Sequence, residues 1–141
     1  MRFSTTRSRD FMYSIFVSIF IFGITSNLYA EEVNYEGINK CGAMQVKVSF
    51  TYDKAKSTIK DFTASHSCVR GIEGQGVISS NISIPISVKD NKFGISSFVE
   101  GTISSNGKAS GKLMEAQGRS SQCPDGKMHA NCVEWKAIPV K

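Results

Sequence analysis

Residues 44–66, MQVKVSFTYDKAKSTIKDFTASH, alternate apolar and polar side chains over residues 44–52, followed by a polar break at residues 53–56 and a return segment over residues 57–66 that contains Ile59 and Phe62. Successive side chains of a β-strand point to opposite faces of a sheet, so this alternation indicates two half-buried strands joined by a turn. We therefore predict a β-hairpin. The apolar face of its first strand consists of Met44, Val46, Val48, Phe50 and Tyr52.

Residues 81–88, NISIPISV, show the same alternation and predict another strand. Its apolar face would contain Ile82, Ile84, Ile86 and Val88. Because Pro85 has no N–H group to donate to a neighbouring strand, we expect an edge strand or a bulge at this position.

Turn signals divide the rest of the sequence into further short strands. A polar segment covers residues 89–92, and Asn106-Gly107 predicts a type I′ hairpin turn, which needs a positive φ at both central residues. A glycine-rich connection covers residues 71–76, and residues 133–140 read as a closing strand. Six to eight strands at this spacing predict a single small antiparallel all-β domain, either a sandwich or a barrel.

The first thirty residues have the form of a secretory signal peptide. Arg2, Arg7 and Arg9 precede the apolar residues 11–24, and a more polar stretch leads to Ala30. We predict cleavage after Ala30, which leaves residues 31–141 as one exported domain. The alternative is an uncleaved anchor in which residues 11–30 span a bilayer. Localisation is accordingly predicted to be periplasmic or secreted.

Removal of residues 1–30 changes the charge balance of the chain. The whole sequence has a net charge of +5, but residues 31–141 keep 14 basic and 11 acidic side chains, a net charge of +3. The lysines are dispersed along the sequence, whereas nucleic-acid binders concentrate them on one face. We therefore expect neither a nucleic-acid partner nor a membrane span after cleavage.

All four cysteines lie in the predicted exported domain, and an even number in this context predicts two disulfides. If Tyr52 opposes Ser57 in the hairpin, the same register places Cys41 opposite Cys68, so we predict a Cys41–Cys68 bridge. The second predicted bridge, Cys123–Cys132, would close an irregular loop over residues 122–132.

No sequence signature identifies a catalytic, cofactor or metal site. The spacing of Cys123 and Cys132 differs from the close pairs that structural zinc sites use, and we expect His66 and His129 to be exposed polar residues. We predict no catalytic residues, no metal ligands and no cofactor. Trp135, Tyr52 and Tyr35 are possible ligand-binding residues, because aromatic rings can stack on sugars or apolar ligands; the alternative for Trp135 is a core anchor.

Three segments resemble elements of small exported bacterial all-β proteins of unknown function. They are ISIPISVKDNKF (82–93), EGTISSNGKASGKL (100–113) and, after Cys132, VEWKA (133–137). The resemblance implies an exported all-β domain and carries no activity or functional residue with it.

We expect an exported, non-enzymatic binding protein for a glycan, an envelope component or another protein. The first alternative is a proteinaceous inhibitor that uses residues 124–131 as its contact loop. The second is a small hydrolase with a pair of catalytic carboxylates.

Overall fold

The computed structural model describes residues 31–70 and 78–141. The predicted signal peptide and the predicted glycine-rich connection over residues 71–76 lie outside these residues. The described chain is all-β, as predicted, with one 3₁₀ turn at Met114–Ala116. None of its helical segments is long and apolar enough to cross a membrane. The strands are β1 (Glu32–Cys41), β2 (Met44–Asp53), β3 (Thr58–Cys68), β4 (Ile78–Ile82), β5 (Ile86–Ser87), β6 (Lys92–Ile95), β7 (Val99–Ile103), β8 (Ala109–Leu113), β9 (Ser120–Gln122), β10 (Met128–Ala130) and β11 (Glu134–Val140).

Most of these strands form one curled antiparallel sheet, in the order β4-β3-β2-β1-β11-β8-β7-β6, with β5 also paired to β3. Residues 88–91 join β5 to β6 through a two-residue turn at Asp90-Asn91, so β5, which pairs with β3, adjoins β6 at the far end of the order. Lys89 and Lys92 exchange two backbone hydrogen bonds of 2.9 Å across the turn. Strands β9 and β10 form a separate hairpin.

The predicted hairpin of β2 and β3 is confirmed, but its register differs from the predicted one. Tyr52 opposes Ile59 rather than Ser57, and the register shifts again between Ser49 and Thr51. Asp61, on the β3 side of this bulge, has a φ of 52°. These shifts place Met44 opposite Cys68 at the open end of the hairpin.

Strand β1 is a strand that the sequence reading did not predict. It pairs with β2 along its whole length, from Glu32 opposite Asp53 to Cys41 opposite Met44. The two-residue turn between them begins at Gly42, whose φ of +62° is a conformation that glycine adopts readily. The chain therefore reverses at Gly42, and Cys41 does not extend β2 towards Cys68.

The predicted disulfide pairing is wrong for this reason. The bridges are Cys41–Cys132 and Cys68–Cys123, with Cα–Cα distances of 5.5 and 5.6 Å. Cys41 ends β1, and β1 lies beside β11, which begins two residues after Cys132. Each bridge therefore connects segments that are far apart in the sequence, where the prediction had connected the ends of one hairpin and of one loop.

Residues 81–88 form two short strands instead of the single predicted one. Strand β4 ends at Ile82 and β5 begins at Ile86. Ile84 between them is 63% exposed, so the predicted common apolar face is wrong at this residue. Pro85 lies in this interruption, outside both strands, so its missing N–H group disrupts no strand ladder.

The turn at Asn106-Gly107 does connect two paired strands, β7 and β8, but it is not the predicted type I′ turn. Gly107 has a φ of +79°, whereas Asn106 is not among the residues with positive φ. The Gly107 N–H instead donates to the Ser104 carbonyl at 2.9 Å within a longer loop. Two successive residues with positive φ occur at Asp90 and Asn91, with values of 52° and 61°. Their polar, short side chains tolerate this conformation.

An aromatic cluster fills the centre of the curled sheet. Its members are Tyr35, Phe50, Phe62, Phe93 and Trp135, all buried. Phe50 stacks on Tyr35 with ring centroids 4.8 Å apart and meets Trp135 edge-on at 6.0 Å. Each such pair contributes about 0.5–1.5 kcal/mol beyond the burial of its apolar area. The cluster therefore ties strands from both halves of the sheet together.

Replacing Gly111 by alanine should reduce the free energy of unfolding by roughly 1–3 kcal/mol. A Cβ atom at this position would lie 1.9 Å from the Glu100 carbonyl oxygen and 2.5 Å from the Trp135 ring. Urea unfolding followed by the fluorescence of Trp135, the sole tryptophan, measures the change. Ser110→Ala, at the exposed neighbouring position of β8, is the matched control. Equal destabilisation in both variants would contradict this packing.

Candidate functional site

Three loop segments meet at one end of the sheet, which we call the disulfide end. They are the Gly42-Ala43 turn, residues 69–70 after β3, and the β9–β10 hairpin. The Val69 N–H donates to the Ala43 carbonyl at 2.8 Å, which joins the first two segments. The Cys68–Cys123 bridge joins the hairpin to the end of β3. A rigid scaffold that presents several loops at one end is a common arrangement for binding sites.

Met44 packs against both disulfides and is fully buried. Its sulfur lies 3.4 Å from the Cys123 sulfur and 3.8 Å from the Cys68 sulfur. The Cys132 sulfur lies 3.5 Å from the Met44 carbonyl oxygen. Met44 thus touches one bridge through its sulfur and the other through its backbone carbonyl, and we call Met44 and the two bridges the sulfur cluster.

His66 is part of the same interior, which corrects the prediction that it is exposed. Its ring is buried, and Nε2 lies 2.8 Å from the carbonyl oxygen of Cys132. The histidine therefore connects β3 to the segment before β11. His129, in contrast, is partly exposed on the β9–β10 hairpin.

The segment predicted as an irregular loop is an ordered hairpin. In the turn between β9 and β10, the Cys123 N–H donates to the Lys127 carbonyl at 3.1 Å, and the Gly126 N–H donates to the Cys123 carbonyl at 2.9 Å. Gly126 has a φ of +75°, which a glycine accommodates without strain. The Asp125-Gly126 dipeptide is a known hairpin signal, and it would have indicated this turn from the sequence.

Asp125 organises the tip of the hairpin. One carboxylate oxygen accepts the Lys127 N–H at 2.9 Å, and the other lies 2.8 Å from His129 Nε2. The backbone hydrogen bond from Lys127, followed by the contact with His129, lowers the pKa of Asp125 below its ordinary value. The tip also presents Met128, whose side chain is 61% exposed.

A cleft of about 640 Å³ lies beside the hairpin. Its walls are the Gly42-Ala43 turn, Val69 and Arg70 after β3, and the segment Cys123–Asp125. A cation and a carboxylate therefore face the same space as several apolar groups. Sequence reasoning missed Arg70 and the turn, because only the fold brings them to the hairpin.

The three aromatic residues predicted to bind a ligand lie away from this end. Trp135 is 1% exposed and Tyr35 is also buried, both within the aromatic cluster. Burial raises the pKa of the Tyr35 hydroxyl. Tyr52 is half-buried and packs against the core. Stacking of a ligand on Trp135 would require the core to open, and the ligand role of all three residues stays a prediction.

Two carboxylates flank β8 on the outer face of the sheet. Glu100 on β7 and Glu134 on β11 both lie directly opposite Lys112 on β8. All three side chains are exposed. The Lys112 position on β8 therefore separates the two carboxylates across the sheet.

The described residues contain no group of three or more histidine, cysteine, aspartate or glutamate side chains placed to hold a metal ion. Comparisons of the chain with protein-family models, curated proteins and solved structures found no match. The disulfide end, with its ordered hairpin and adjoining cleft, is therefore the candidate site on geometric grounds.

Mass spectrometry of a non-reduced digest should recover two linked peptide pairs, one containing Cys41 and Cys132 and the other Cys68 and Cys123. Recovery of a Cys41–Cys68 peptide pair would contradict the structure.

Joint replacement of Cys68 and Cys123 by serine should lower the free energy of unfolding by about 2–4 kcal/mol, because the closed loop no longer restricts the unfolded chain.

The hairpin tip should change with acid as Asp125 is protonated. A folded-state pKa below the unfolded value of about 3.9 means that its contacts are complete above that pH and are lost as the pH falls through the folded pKa. The Lys127 amide resonance should therefore titrate in NMR spectra with a midpoint below this unfolded value. Asp125→Asn is the control and should abolish the titration. A midpoint at or above the unfolded value would contradict the predicted direction.

Proposed function

We propose that this chain is an exported, non-enzymatic binding protein whose disulfide end contacts a protein ligand. The observation that supports the proposal is the attachment of the β9–β10 hairpin. One bridge joins Cys123 to β3, and the other joins Cys132 to β1. The exposed hairpin is thereby fixed on both sides to inner strands of the sheet.

A loop held in this way binds at a low entropic cost. Ordering a flexible loop on binding costs about 0.5–1.5 kcal/mol for each immobilised rotamer-rich side chain, and a preformed loop avoids part of this cost. The hydrogen bonds of Asp125 to Lys127 and His129 add to the order of the tip. The hairpin is therefore suited to recognition with little rearrangement.

The chemistry of the disulfide end favours a protein over a glycan. Met128 offers an exposed flexible apolar side chain, and methionine is frequent at protein-binding surfaces. Arg70 and Asp125 at the cleft supply charges of both signs. Sugar binding commonly uses exposed aromatic faces, whereas Trp135 and Tyr35 are buried.

Two disulfides indicate an oxidising compartment, since such bridges persist outside the cytosol. The apolar segment within residues 1–30 supports export as the route to that compartment. We place the protein in the periplasm or outside the cell, where its ligand would also be found.

Site-specific photo-crosslinking tests the proposal. Residues 31–141 contain all described strands and both bridges, and a benzophenone side chain at position 128 would probe the hairpin. The matched control carries the same group at Lys108, an exposed residue in the loop that precedes β8. We expect one exported protein to be crosslinked from position 128 and not from position 108.

The crosslinked protein, once purified, should bind wild-type residues 31–141 and should bind Met128→Lys at least tenfold more weakly. Equal crosslinking from both positions, or equal affinity of both variants, would contradict a ligand site at the disulfide end. Binding to a glycan array tests the alternative ligand class. Saturable binding to one glycan, with no protein ligand, would contradict the proposal.

The same hairpin also supports an inhibitor as a second candidate function. A fixed loop with a protruding side chain can occupy the active-site cleft of an enzyme without rearranging. In that case residues 31–141 should inhibit an exported hydrolase, and Met128→Lys should relieve the inhibition. Capture of a ligand whose activity is unchanged would separate simple binding from inhibition.

A further inference from the structure

A compact patch of two apolar and two charged side chains lies on the outer face of β1 and β11. We call Glu36, Ile38, Lys136 and Ile138 the isoleucine patch. Ile38 is 59% exposed and Ile138 is 55% exposed. All four residues line one shallow groove of about 480 Å³. Exposed isoleucines that adjoin each other are a stronger sign of an interface than scattered single ones.

The register of the two strands fixes how the patch is arranged. Glu36 lies directly opposite Ile138. Ile38 is two residues further along β1, and Lys136 is two residues earlier along antiparallel β11. The two isoleucines therefore occupy one diagonal of the patch, while Glu36 and Lys136 occupy the other. Diagonal neighbours on adjacent strands lie close enough for their side chains to touch.

We infer that the isoleucine patch binds a second copy of this chain. A two-fold dimer brings the same surface of each copy together, so the surface must complement itself. A two-fold axis in the plane of the contact, along the isoleucine diagonal, sets Ile38 against Ile38 and Ile138 against Ile138. The same axis places Glu36 of each copy opposite Lys136 of the other.

Charge complementarity distinguishes this patch from an ordinary polar surface. Both charge pairs in the dimer are attractive, and opposite charges at the rim of an apolar centre fix the orientation of two partners. Neighbouring hydroxyl groups already have partners within one copy, since the Ser49 and Thr63 hydroxyls lie 2.7 Å apart. This hydrogen bond persists when the surface is covered.

The contact is small, so the dimer is weak. Interfaces at the low end of the size range are transient, and we expect a dissociation constant on the order of 10 µM. The patch lies on the outer face of the sheet, whereas the β9–β10 hairpin lies at its end. Each dimer would therefore present two hairpins. This inference does not depend on the proposed function.

Sedimentation equilibrium of residues 31–141 over a range of protein concentrations tests the inference. The wild type should show a monomer–dimer equilibrium, and Ile38→Lys should weaken dimerisation at least tenfold. Ile84→Lys is the matched control, because Ile84 is an exposed isoleucine outside the patch. It should leave the equilibrium unchanged. Trp135 fluorescence confirms that each variant is folded.

Charge exchange separates this arrangement from a general loss of apolar contact. Glu36→Lys and Lys136→Glu should each weaken the dimer, and the variant with both changes should restore it. A wild type that remains monomeric at millimolar concentration would overturn the inference. A dimer unaffected by Ile38→Lys, equal weakening by Ile84→Lys, or a double variant that stays as weak as its parents would also overturn it.

Discussion

Strand β1 joins the early strands of the sheet to the final strand, because it pairs with β2 on one side and with β11 on the other. The approach of β1 to β11 is close. A Cβ atom at Gly37 would lie 1.7 Å from the carbonyl oxygen of Lys136, so only glycine fits at this crossing. The same pairing carries Trp135 into the aromatic cluster and brings Cys41 within bridging distance of Cys132.

The two ends of the sheet differ in their chemistry. At the turn between β2 and β3, the buried Asp53 carboxylate accepts the Lys56 N–H at 3.0 Å and lies 3.0 Å from Lys60 Nζ. These contacts lower the pKa of Asp53, the backbone hydrogen bond contributing most. Ionic contacts thus organise the turn between β2 and β3, while the sulfur cluster organises the disulfide end. Within residues 31–70 and 78–141, only the disulfide end combines a fixed protruding hairpin with an adjoining cleft, which is why we propose the ligand site there.

A weak dimer through the isoleucine patch would add a functional consequence to this arrangement. Two hairpins presented together can engage a ligand with two sites, or a surface with many, and linked contacts of this kind raise the apparent affinity without any new interaction. The patch and the hairpin belong to different faces of the molecule. Dimerisation and ligand binding could therefore be altered separately by mutation.

Local sequence pattern determined the all-β class and the β2–β3 hairpin, because side-chain alternation and turn residues act over a few positions. It did not determine the disulfide partners. The turn at Gly42 reverses the chain after Cys41, and the bulge near Asp61 shifts the register of β3 against β2. Side-chain alternation does not reveal either change. The tertiary structure decided those features, since it alone brings Cys132, Arg70 and the hairpin beside strands that lie far from them in the sequence.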